Sequence, residues 1–342
     1  MLSDKSLSKP SKTTNGSRFD KECLVKYYIG WDVGAWKCGK AKDDSCDSIV
    51  IMDEQSILGF HRDNIGALVR HLYDTEAAAR PRMLIDEWFR LCGSGTSKIG
   101  YQPDAEYHIA IDTPLGWPRD FGLLLKHQVP ASWTFQPHAT NLNNSLLYRY
   151  TEREKLRRGL SVIVDSIGSQ SAKGILLLEL LNANDEQWGV WKRDNITLIE
   201  TYPKASLVRA GFVDWMISLE LKQNLTESFR VKISKKDEKP VRYGNVTAIS
   251  EDVFDAAVCA CVARAHATGS PKLVSPTSDD PTDYKSEGWI FYPDQPEAIA
   301  DQSVADKHKV STCGESVSTF HEALVAFRQH VTDKQARRLS IK

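Results

Sequence analysis

Tyr107-His108-Ile109-Ala110-Ile111-Asp112-Thr113-Pro114 is a short apolar run that closes on a carboxylate and a proline. A run of this length, ended by a residue that cannot extend a sheet ladder, predicts a buried strand with the acid at its C-terminal end. Two other stretches share the form. Tyr27-Tyr28-Ile29-Gly30-Trp31-Asp32-Val33-Gly34 carries Asp32 into a glycine-flanked turn, and Ile196-Thr197-Leu198-Ile199-Glu200-Thr201-Tyr202-Pro203 carries Glu200 toward another proline. Three acid-tipped strands separated by helical stretches predict an α/β domain, a mixed sheet flanked by helices with parallel central strands.

Working outward, Ala35–Lys42 and Ser48–Met52 read as two further strands with Asp43-Asp44 as the turn between them. A helix starts at Asp63 or Asn64, with Ile65, Leu68, Val69 and Leu72 on one face, and a second carries Met83, Leu84, Trp88 and Leu91 beyond Pro81. After the second acidic strand a long helical insertion spans about 115–192 and holds the charge-dense Arg149–Arg158. Ser250 is a suitable cap for a helix from Glu251 to His266, with Phe254, Ala257, Val258, Cys261 and Val262 as its buried stripe. A last helix, Ser316–Lys334, presents Phe320, Leu324, Phe327 and Val331 to the domain. The division expected is a disordered tail at 1–23, one domain at 24–300, and a C-terminal linker and helix at 301–342 that packs on it.

Composition narrows the function. The 342 residues are 41% hydrophobic and 26% charged, which is globular, and the formal net charge of −1 gives no overall basic field to draw in nucleic acid or anionic membrane. The seven cysteines are scattered without a Cys-x-x-Cys pair, against a zinc site and in favour of a reducing compartment. No run approaches the roughly 18 apolar residues of a membrane span. A cytoplasmic location is expected. Gly93–Gly100 lacks the spacing of a phosphate-binding loop, and the basic stretch Lys222–Arg242 is poor in the aromatic residues that stack on bases.

The chemistry rests on Asp32, Asp112 and Glu200 at strand ends and on Asp255 in the late helix, with Asp252 one turn before it. The C-terminal ends of parallel strands converge on one edge, where open α/β sheets bind ligands. Carboxylates crowded there raise one another's pKa unless a cation lies between them, and Mg²⁺ and Mn²⁺ prefer oxygen donors. Each acid alone has an ordinary alternative. Asp32 and Asp112 suit turns, Glu200 a surface ion pair, and Asp252 the first turn of a capped helix. Their order along the chain (strand-Asp, hairpin, helix, strand-Asp, insertion, strand-Glu, helix-Asp) resembles the ribonuclease-H-like arrangement.

The motif text adds a resemblance. Ile29-Gly30-Trp31-Asp32, Ile109-Ala110-Ile111-Asp112-Thr113-Pro114-Leu115-Gly116-Trp117-Pro118, Arg149-Tyr150-Thr151-Glu152-Arg153, Ile199-Glu200-Thr201-Tyr202-Pro203, Asp255-Ala256-Ala257-Val258-Cys259-Ala260 and Glu287-Gly288-Trp289-Ile290 together resemble the predicted-nuclease family called domain of unknown function 429. The resemblance spans about 25–295 and implies a ribonuclease-H-like fold, with Asp32, Asp112 and Asp255 holding Mg²⁺ or Mn²⁺ and Glu200 as a fourth metal-site acid. The expected reaction is hydrolysis of a phosphodiester, in nucleic acid or another such substrate, by a two-metal mechanism. Arg149 and Arg153 are candidate phosphate contacts, with a solvated, salt-bridged helix as the alternative. Two other functions stay open: a nucleotide-binding phosphotransferase or ATPase of the actin-like class, and a non-catalytic binding protein that retains the fold.

Overall fold

The computed structural model describes residues 24–34, 46–93, 100–128, 144–157, 161–163, 165, 167–223, 251–296, 320–325 and 327–329. The expected strand at Ala35–Lys42, its Asp43-Asp44 turn, the N-terminal tail, Ser250 and most of Lys222–Arg242 lie outside the described residues.

The first acidic strand, β1 (Lys26–Asp32), runs antiparallel to β2 (Ser48–Met52), which pairs antiparallel with β3 (Ser56–Arg62). On its other side β1 runs parallel to β4 (Glu106–Asp112). An antiparallel hairpin, β5 (Asn184–Gln187) and β6 (Val190–Arg193), leads into β7 (Ile196–Thr201), which lies parallel to β4. Two short strands complete the sheet. β8 (Lys222–Gln223) runs beside β3, and β9 (Ile290–Phe291) runs parallel to β7. The order is β5-β6-β7-β4-β1-β2-β3-β8, an open mixed sheet. The hairpin corrects the wholly helical insertion: Gly189, at φ +78°, makes the turn between β5 and β6, and a Trp289 side chain fills the space where a Cβ would stand.

Period-two alternation sorts the two faces of the sheet. Tyr27, Ile29 and Trp31 of β1 and Tyr107, Ile109 and Ile111 of β4 face α1 (Gly66–Asp74), α2 (Arg80–Leu91) and α4 (Gly168–Leu181). Pro81 does not break a helix but starts one, in the first turn of α2, where its missing N–H costs nothing. Helix α3 (Arg119–Leu125) lies in the insertion, as does a π-helical turn at Thr151–Leu156. On the opposite face, Tyr28 and Ala110 pack with α5 (Pro203–Leu207), α6 (Phe212–Ser218) and α7 (Glu251–Thr268). Phe320, Ala323, Leu324 and Phe327 join that layer, with the Phe320 ring 5.7 Å from Phe254.

Helix α7 carries no single apolar stripe, because Val253 through Ala263 are all buried. The sheet covers one side of it and the outer helices cover the other. The alanines let it sit close. A Cβ built on Gly30 would stand 1.8 Å from the Ala256 carbonyl oxygen and 2.5 Å from the Ala260 nitrogen, both backbone atoms of α7. Gly30→Ala is therefore expected to push α7 off β1 and cost about 3 kcal/mol. Urea unfolding should show a lower midpoint at unchanged slope, and an unaltered midpoint would mean that the helix is not seated on this glycine.

Candidate functional site

Asp32 and Asp112 are register partners at the ends of adjacent parallel strands, so the pleat turns both carboxylates to the same face. Neighbouring strands lie about 4.8 Å apart, too close for two free carboxylates to ionise independently. The alternation that places Gly30 and Ala110 against α7 also points Asp32 and Asp112 toward that helix. Asp255, almost wholly buried, comes down from it onto the same cavity. Burial first, then the charges of Asp112, Asp255, Asp252 and Asp47, hold the Asp32 carboxyl well above its ordinary range. Burial pushes Asp112 up to about 7, against the pull of Lys204 and with the push of Glu200. Cys259, one turn beyond Asp255, feels burial and then the charge of all three aspartates, and its thiol is driven up strongly.

These acids line a cavity of about 300 Å³ at the strand ends, together with Thr113, Pro114, Gln170, Glu200, Tyr202 and Lys204. Glu200 reaches it differently. Its register partner on β4 is Ile111, not Asp112, so the pleat directs its side chain to the other face. There Arg149 grips both of its oxygens, at 2.5 and 2.7 Å, and the backbone N–H of Leu115 donates to Oε2 at 2.9 Å. Glu200 is thus at the cavity wall with its carboxylate already engaged.

Arg149 is completely buried. Its Nε donates to Glu152, its Nη1 to Glu200 and to the Glu287 carbonyl, and its Nη2 to Glu152 and Glu200. Those bonds use all five guanidinium donors, which removes Arg149 from the candidate phosphate contacts. Arg153 is placed differently. Its Nε donates to the Tyr148 carbonyl and its guanidinium lies over the Tyr284 ring at 5.5 Å, away from the residues that line the cavity. Glu287 ties the insertion to the segment before β9 by accepting from the backbone N–H groups of Arg119 and Tyr150.

The sequence matches the family described as "Protein of unknown function (DUF429)" over residues 94–280, more than half of the chain. The chain belongs to the DUF429 family. The DUF429 match takes in Asp112, Arg149, Glu152, Lys204, Glu200 and Asp255, while Asp32 on β1 lies before it. No curated protein and no solved structure matches the chain.

Two groups that sequence reasoning passed over shape this DUF429 site. Asp47 and Lys173 form a fully buried pair, with Nζ to Oδ2 at 2.7 Å, and Nζ also donates to the Gly34 carbonyl at 2.7 Å. Asp47 accepts in turn from Trp31 Nε1 and from the backbone N–H groups of Gly34 and Ile65, so the pair pins the turn that follows Asp32. A lone Lys in α4 and an Asp before β2 carry no local signal of pairing. Lys204, beside Asp112, is hidden in the same way. Asp252 lines the cavity but is held by Arg62 at 2.7 Å.

Asp32, Asp112 and Asp255 offer only oxygen donors, and burial together with neighbouring negative charge holds the carboxyls of Asp32 and Asp112 above their ordinary range; this donor set suits a hard divalent cation. Among the described residues no group of three or more His, Cys, Asp or Glu side chains stands already arranged to hold a metal ion. No helix among them is long and apolar enough to cross a membrane.

Proposed function

We propose that this chain is a divalent-cation-dependent phosphodiesterase of the nuclease type, built on a ribonuclease-H-like core. The fold part of that reading is supported by the segment β3-β2-β1-β4-β7, in which β2 alone runs against the others. The chemical part rests on one observation. Two aspartates stand in register at the ends of parallel strands, with a third above them, all facing one cavity.

In this reading Asp32, Asp112 and Asp255 would hold Mg²⁺ or Mn²⁺ through their carboxylate oxygens. A divalent ion held there would supply Lewis acidity toward a phosphoryl group and would lower the pKa of water. Glu200, gripped through both oxygens by Arg149, stands at the cavity wall with its carboxylate already engaged. Asp47 and Lys173 hold the Asp32 turn in place from behind. Water attacks phosphorus and gives up a proton to solvent, the P–O bond to the leaving oxygen breaks, and that oxygen takes up a proton from solvent, so that none is gained or lost overall.

The deciding experiment incubates the purified chain with end-labelled single- and double-stranded DNA and RNA in Mg²⁺, in Mn²⁺ and in EDTA. Cleavage confined to the metal-containing reactions is the expected result. Complete absence of cleavage, together with an unfolding temperature that Mn²⁺ leaves unmoved, would end the proposal. Strong stabilisation by ATP with Mg²⁺ in place of cleavage would point instead to a nucleotide-binding phosphotransferase.

A further inference from the structure

Among the described residues the cavity is lined by Asp32, Asp112, Asp252, Asp255, Glu152 and Glu200 against two cations, Arg149 and Lys204. Arg149 has every donor occupied. Lys204 differs: among the described residues it forms no ion pair and no side-chain hydrogen bond. Its mounting is nonetheless rigid. It follows Pro203 in the first turn of α5, where Ser206 bonds back to the Tyr202 carbonyl through both its N–H and its hydroxyl. Its neighbours Ala205 and Leu207 are buried, while Lys204 itself is half-buried at the cavity wall, on the side of Asp112. Lysine is a compact point charge with three donors on a flexible stem, suited to a phosphoryl oxygen.

We propose that Lys204 is the substrate contact of this cavity, its ammonium gripping a non-bridging phosphoryl oxygen while Asp32 and Asp112 face the same phosphate from the strand ends. The assignment rests on the phosphodiesterase reading for its substrate class. It adds the residue that makes an acid-rich cavity select an anion. Cations beside the acids bring the phosphate's charge within reach, and Lys204 then fixes its orientation. The contact is to one phosphate. Base identity is left unread.

The test compares wild type with Lys204→Met and Lys204→Arg, first for binding of inorganic phosphate in the presence of Mn²⁺ by calorimetry, then for kcat and KM on a single-stranded oligonucleotide. Losing one charge-assisted hydrogen bond is expected to weaken phosphate binding about tenfold or more and to raise KM similarly with a smaller change in kcat. Lys204→Arg should stay within about threefold of wild type, since the charge remains within reach. A lysine that served only to offset Asp112 would instead shift the pH profile and leave phosphate affinity alone; that outcome overturns the proposal. Phosphate binding that depends on Lys204 in a protein that cleaves no oligonucleotide would keep the contact and remove the nuclease. Cleavage with unchanged KM and phosphate affinity in Lys204→Met would do the reverse. Neither binding nor cleavage in wild type would sink both.

Discussion

Asp112→Asn is expected to lower metal-dependent cleavage on the order of 10³-fold, and at about pH 8 to make the protein more stable than wild type. The loss follows from removing a charged donor from the centre of the acidic set. The gain follows from the direction of its titration. Asp112 is pushed up to about 7 in the folded chain from an ordinary 3.8, chiefly by burial. Between those values the folded state keeps a proton that the unfolded state has lost, so stability falls as pH rises through that window. What the protonated acid contributes is fully present below the lower value and gone above about 7. Asparagine cannot ionise and avoids the loss. Asp112→Asn should therefore unfold later than wild type at about pH 8, by about 1–2 kcal/mol, and show little difference at about pH 4. Because the charge of Asp112 helps to raise Asp32, Asp32 should ionise more readily in the variant. Mn²⁺ should raise the unfolding temperature of wild type at about pH 8 and leave that of Asp112→Asn nearly unchanged. A variant that is both active and less stable than wild type would contradict the assignment of this pair as the metal-binding centre.

Arg149→Met should be the most destabilising single change near the site, at about 4 kcal/mol. The guanidinium holds two almost inaccessible carboxylates, Glu152 and Glu200, and its removal leaves them buried without their counter-charge, each kept only by a backbone N–H, that of position 149 for Glu152 and that of Leu115 for Glu200. It also frees the Glu287 carbonyl and loosens the junction between the insertion and the segment before β9. Burial lifts the Glu152 carboxyl even with Arg149 present, so without the arginine Glu152 should take up a proton. Urea denaturation reads the effect as a lowered midpoint. The triple change Arg149→Met, Glu152→Gln, Glu200→Gln should recover a large part of the loss, since the unpaired charges carry most of it. If Arg149→Met alone unfolds within about 1 kcal/mol of wild type, the buried network is not holding this region together.

The acids of the site differ in how far a linear reading reaches. Asp32 and Asp112 were legible because each ends an apolar run, and a strand that stops at the rim of a parallel sheet must leave its last side chain there. Asp255 was legible because it falls beyond the first turn of a helix otherwise rich in alanine. Glu200 looked the same as Asp112 on paper, an acid at the end of an apolar strand before a proline. Its register, one position out of step with Asp112, separates them, and register is set by pairing between distant strands. Arg149 shows the converse. In a charge-dense stretch it reads as a solvated or substrate-facing cation, yet it is the most completely bonded side chain at the site. Lys173, Asp47 and Lys204 gave no signal at all, because what defines each is a neighbour more than thirty residues away in sequence.

Hydrophobic periodicity acts over a few neighbours along the chain, so the α/β class and the acid-tipped strands could be read from the residues alone. Which carboxylates share a cavity, which cations are consumed by ion pairs and how closely α7 sits on Gly30 were settled by folding. Those outcomes depend on strand register and on desolvation, and neither exists until segments remote in sequence are brought together.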